Sequence, residues 1–168
     1  KFDTTQLENV EETLRAEMHK KEISSLVKPG MRIAMAVGSR GIQNLALIVK
    51  TIADELQNMG AIPFIVPAMG SHGGGTAVLE GYGITEEAIG IPVKSSLEVD
   101  EIGTVECESG TVQVVVDHYA AHADLIIPIG RVKPHTDFRG PIESGLCKML
   151  TIGLGKFEGC TRLHHMGA

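Results

Sequence analysis

The chain has 168 residues, 43% of them apolar and 21% charged, which suits one domain with a core that holds without disulfide staples. A formal net charge of −6 excludes a broad nucleic-acid surface, which needs clustered Lys and Arg, and no apolar run reaches the roughly 20 residues of a membrane span. The three cysteines, Cys107, Cys147 and Cys160, have no regular spacing, so they describe no disulfide framework and point to a reducing cytoplasm.

Residues 4–27 read as one amphipathic helix, with Leu7, Val10, Leu14, Met18 and Ile23 near helical spacing, Asp3 or Thr4 as cap and Pro29-Gly30 as stop. MRIAMAV, 31–37, is a continuous apolar run of the kind buried on both faces of a parallel sheet, and it ends in the loop GSRG. Residues 42–59 follow as a helix with Leu45, Ile48, Val49, Ile52 and Leu56 on one side and Gly60 as its stop. A second apolar run, AIPFIVPAM at 61–69, ends in GSHGGGT. Strand, helix and strand make a parallel unit with a right-handed crossover.

Further on, residues 77–97 read as one or two short helices and 99–120 as a hairpin turning near Ser109-Gly110. HYAAHA reads as a helical turn, 124–129 as a third buried strand and 143–152 as a helix. The fold class is therefore α/β: a parallel or mixed sheet flanked by helices, with the site at the carboxyl ends of the strands. The chain begins at Lys1 and stops in the polar TRLHHMGA with no closing element. It is expected to be a single α/β domain, 1–168, from a longer protein.

The strand ends carry the chemistry. Arg40 lies in GSRG before a helix, where backbone N–H groups and a guanidinium suit a carboxylate or phosphate; the plain alternative is a turn arginine. His72 lies among glycines in GSHGGGT, a loop without the GK[ST] ending of a Walker motif. Glycines admit a ligand close to the backbone and imidazole is a general base near neutral pH, against the alternative of an exposed loop histidine. His135, in KPHTDF, follows the third strand. One such residue is weak, but three at successive parallel strand ends converge on one crevice, which suits acid–base chemistry on a small organic acid.

Lys148, in ESGLCKML, reads either as a nucleophile or covalent attachment point, or as a surface lysine whose stem lies on apolar neighbours. Cys147 beside it reads as packing. His164 and His165 are possible metal ligands, but Cys147, Cys160 and His164 lack the CxxC or HxxxH spacing of a zinc site. The G-x-G-x-x-x-G of TIGLGKFEG is one residue too long for a dinucleotide loop, so Gly153 and Gly155 read as turn formers. Lys133, Asp137, Arg139 and Glu143 receive no role.

AVGSRGI, MGSHGGGTA, RVKPHTDFRGPIESGLCKMLTIGLGK and LHH, in that order over roughly residues 30–168, together resemble the nickel-pincer lactate racemase family. The resemblance implies the N-terminal half of a two-domain protein whose active site lies in the cleft between the halves. It also implies a cofactor, a nickel-pincer pyridinium bis-thiocarboxylate mononucleotide, tethered through Lys148 with His164 as nickel ligand and His165 as its competitor. His72 and His135 match the acid–base pair, and Arg40 a loop residue that helps hold the anionic ligand. The implied activity is racemisation or epimerisation of a 2-hydroxy acid by reversible hydride transfer. Two features depart from the racemase. Gly73-Gly74-Gly75 stand where it carries basic residues, and the stretch from His135 to Lys148 is longer. Both leave the chemistry possible but count against lactate as the substrate, and they leave room for a larger 2-hydroxy acid or a sugar acid. The expected partners are that small acid and a C-terminal domain of the same protein, with neither nucleic acid nor membrane. The competing readings are a domain of the same fold that binds phosphate or a small acid without nickel, and a structural assembly module.

Overall fold

The computed structural model describes residues 7–38, 41–70, 75–107, 110–131, 140 and 145–165, the last three of these by backbone alone. In chain order the elements are α1 (Val10–Met18), α2 (Lys21–Ser24), β1 (Arg32–Val37), α3 (Leu45–Asn58), β2 (Ile62–Pro67), α4 (Thr76–Gly81), α5 (Glu86–Ile89), β3 (Val99–Cys107), β4 (Gly110–Asp117), α6 (His118–Ala121), β5 (Leu125–Ile129) and α7 (Leu146–Lys148). A π-helical turn, Met149–Gly153, and α8 (Lys156–His165) complete the described chain.

The expected α/β class holds. β1, β2 and β5 form a parallel sheet in the order β2-β1-β5, and β3 and β4 form a separate antiparallel pair. The central strand shows why its sequence is apolar throughout. Successive side chains point to opposite faces. Ile33, Met35 and Val37 face a core with Leu45, Val49, Ile52 and Leu56 of α3. Ala34 and Ala36 face a second core with Phe64, Val66, Val116, Ala120 and Leu154. Alanine on this second face lets the C-terminal elements lie close to the sheet.

Three expectations need correction. The single helix expected over 4–27 is divided. Asn9 caps α1, accepting from the Glu12 N–H at 3.0 Å, and Lys20 then takes an extended backbone, φ −60° and ψ 140°. Of the expected apolar stripe, Met18 within α1 is buried, whereas Leu7 before α1 and Ile23 after it are exposed. Helix α1 docks on α3 through the buried Glu55, which receives Arg15 and, at 2.7 Å, His19 Nε2. The second correction concerns 42–59, where the helix starts at Leu45 because Asn44 adopts a left-handed φ of 57°.

The third correction concerns residues 156–165, which form the helix α8 that the sequence pattern did not reveal. Gly159 sits inside it as a contact residue. A Cβ there would lie 3.1 Å from Thr151 O and 3.4 Å from Val115 Cγ2. Arg162 then reaches Gln113 Oε1 of β4 at 2.9 Å. Among the described residues no helix is long and apolar enough to cross a membrane, and no disulfide forms.

Candidate functional site

The three parallel strands end level with one another. Val37 is in register with both Pro67 and Ile129, so β1, β2 and β5 present their carboxyl ends on one edge. Beyond the last rungs, Gly38 N–H donates to Ile129 O at 2.9 Å and Ala68 N–H to Val37 O at 2.9 Å. The segments leaving this edge contain Arg40, His72 and His135 in the sequence. These three residues lie outside the described residues, as do Lys133, Asp137, Arg139 and Glu143. The sheet topology brings together Val37, Pro67 and Ile129, the strand ends after which Arg40, His72 and His135 follow in sequence.

A fourth segment is laid across the same edge, and it carries Lys148. It begins at Gly145, φ 81°, passes through the short α7 and continues as the π-helical turn, closed by Leu154 N–H to Met149 O at 2.9 Å. The helix expected over 143–152 is thus described from residue 146 and changes pitch at Met149. Thr151 Oγ1 bonds the Cys147 carbonyl at 2.8 Å, a side-chain contact with the backbone four residues earlier, which goes with bent helices. Single π turns inside helices occur frequently at functional sites.

Glycine makes this close approach possible. A Cβ on Gly130 would collide with the Met149 thioether, and one on Gly38 would lie 3.4 Å from Met149 Cε. On the other side, Gly70 N–H donates to Gly153 O at 3.2 Å. A Cβ on Gly153 would come within 2.8 Å of Ala68 O. Gly153 is therefore not chiefly a turn former; it is what lets the π turn touch the end of β2. Lys148 and Cys147 are both exposed on this segment, so the packing role expected of Cys147 is incorrect.

Two further cations, Arg131 and Lys156, received no individual role from the sequence. Arg131, two residues past Ile129, reaches back so that Nη1 donates to Gly41 O at 3.3 Å, joining the first and third strand-end segments. The strand-end rule that selected Arg40 also applies to it. Lys156 is 2% exposed and adopts φ 55°. Its ammonium donates to Pro67 O at 2.6 Å and pairs with Asp117 Oδ2 at 3.0 Å. Asp117 is also buried; its other oxygen accepts from Ala120 N–H at 3.0 Å and caps α6. No local pattern marks a lysine in GLGKFEG as buried.

The two lysines of this region thus divide into an exposed amine, Lys148, and an internal ion pair, Lys156. His164 and His165 lie in the last turn of α8, and their side chains are outside the described residues.

No curated protein matches the chain. The family model for the lactate racemase N-terminal domain matches residues 1–168, and the chain belongs to that family.

Proposed function

We propose that this chain is one half of a racemase or epimerase of a 2-hydroxy acid, working with a nickel-pincer pyridinium mononucleotide. The observation that carries the reading is the position of Lys148, exposed on a segment held by glycine contacts across the carboxyl edge of the parallel sheet. Ligands of open α/β sheets bind beyond that edge.

The donor set fits the cofactor. Lys148 offers an exposed primary amine, able to bond covalently to a thio-acid carbon, whereas Lys156 is buried and engaged. His164 offers an imidazole, a nitrogen ligand suited to nickel. When bound, the group supplies the hydride acceptor and donor.

The chain's own residues do the remaining work. Inversion at a carbinol carbon needs a proton acceptor and a proton donor that exchange roles with direction. His72 and His135, on segments that leave β2 and β5, fill those roles, since imidazole titrates near neutral pH. Arg40 pairs with the substrate carboxylate or the cofactor phosphate through its planar fork of N–H donors. A second domain closing over the edge excludes water from the cleft. A reducing cytoplasm suits three cysteines without a disulfide.

The test is the intact mass and metal content of the full-length protein produced together with the cofactor-making enzymes. Bound nickel and a mass increase that maps to Lys148, both lost in Lys148→Arg, are expected. Protein that stays unmodified and nickel-free under those conditions, yet binds a small acid or phosphate, overturns the reading in favour of a nickel-free binding domain.

A further inference from the structure

The base of the β3–β4 hairpin holds a second group of ligating side chains, which shares no residue with the site above. His118 opens α6 and His122 follows one helical turn later, so both imidazoles fall on one side. Their rings lie 4.7 Å apart. Asp100, on β3, points at both: its Oδ2 is 2.8 Å from His118 Nδ1 and 3.2 Å from His122 Nδ1. One ligand atom from each residue lies within 4.8 Å of the others.

Each neutral imidazole has a single N–H, and here two rings converge on one carboxylate oxygen. A divalent cation at that focus replaces the shared hydrogens and draws on three deprotonated donors. The His118 carbonyl also lies 2.9 Å from His122 Nδ1, so an N–H that Nδ1 donates there is given up when this nitrogen takes the metal. Two imidazoles and one carboxylate suit the borderline divalent transition metals rather than calcium or magnesium, which take oxygen ligands. The three side chains are 36–58% exposed, which leaves room for water to complete the coordination.

We propose that Asp100, His118 and His122 form a binding site for a borderline divalent transition metal such as zinc, with water in the remaining positions. The site fastens the hairpin to α6. Most of the hairpin is exposed, and a two-stranded sheet is marginally stable alone. A metal that binds the folded state alone stabilises it by mass action.

Titration of the full chain with cobalt(II) chloride, followed by visible absorption and zinc displacement, tests this site. One cobalt equivalent displaced by zinc is expected. His122→Gln weakens it at least about tenfold, since even loss of a second-shell partner weakens metal binding about 10–100-fold. His164→Ala with His165→Ala leaves this equivalent unchanged, which separates it from the chain-end histidines. His122 is exposed at a helix end, so its variant keeps the fold and decides the matter even where Asp100→Asn unfolds. No cobalt binding, binding unaltered in His122→Gln, or a thiolate charge-transfer band accounting for all the bound metal overturns the proposal.

Discussion

The ammonium of Lys156 lies 3.0 Å from Asp117 Oδ2 and donates to the carbonyl of Pro67, with both side chains buried. This joins the last residue of β2, the last residue of β4 and the first residue of α8. Leu154 O, two residues before α8, accepts from Asp117 N–H at 2.7 Å and adds a bond between the end of β4 and the chain that enters α8. Removing one partner of a buried pair strands the other, which costs about 3–5 kcal/mol. Asp117→Ala, which also uncaps α6, is therefore expected to lower stability by that amount in urea denaturation. The double variant Asp117→Asn with Lys156→Met is expected to lose less than the sum of its single variants, with a coupling of about 0.5–3 kcal/mol. Additive losses would show that the pair is not coupled.

Gly153 tests the close approach of the π turn to β2. Alanine there would bring its Cβ within 2.8 Å of the Ala68 carbonyl, a backbone atom that cannot rotate away. Gly153→Ala is expected to destabilise by about 1–3 kcal/mol, as overpacking does. Gly81 is the control. It ends α4 with nothing within 4 Å of an added Cβ, so Gly81→Ala is expected to be neutral or to stabilise by up to about 1 kcal/mol. Thermal melts of the two variants give the comparison. Equal melting temperatures would mean that the π turn shifts freely.

The acid–base assignment has its own test. His72→Ala and His135→Ala are each expected to slow interconversion of the enantiomers of a 2-hydroxy acid by about 10²–10⁴-fold, the contribution of a positioned acid or base. Chiral chromatography of the cofactor-loaded full-length protein measures the rate. Both residues follow strand ends in glycine- or proline-containing segments, so melting temperatures should hold. Wild-type turnover in either variant removes that histidine from the mechanism.

Much of the fold was legible because it rests on local rules. Continuous apolar runs marked β1, β2 and β5, and helical spacing with Gly60 marked α3, since strand and helix periods are properties of neighbouring residues. Boundaries slipped where contacts from elsewhere contributed, as at the end of α1, where Arg15 and His19 pair with Glu55 of α3. The chain end was the hardest part. Helix α8 contains Gly159, and glycine is a poor helix former judged locally; its place follows from packing against Thr151 and Val115.

The sequence by itself determined the α/β class, the family, and the chain positions of Arg40, His72, His135, Lys148 and His164, because motif order and apolar periodicity are written along the chain. Only the tertiary structure decided which lysine is available. Lys148 and Lys156 stand in similar mixtures of glycine and apolar residues, yet one amine is exposed and the other neutralised inside the protein. Burial of a charge depends on a partner far away in sequence, here Asp117 and Pro67, and no local pattern reports it. The same holds for Asp100, His118 and His122, which a strand and a helical turn bring within reach of one another through the pairing of β3 with β4.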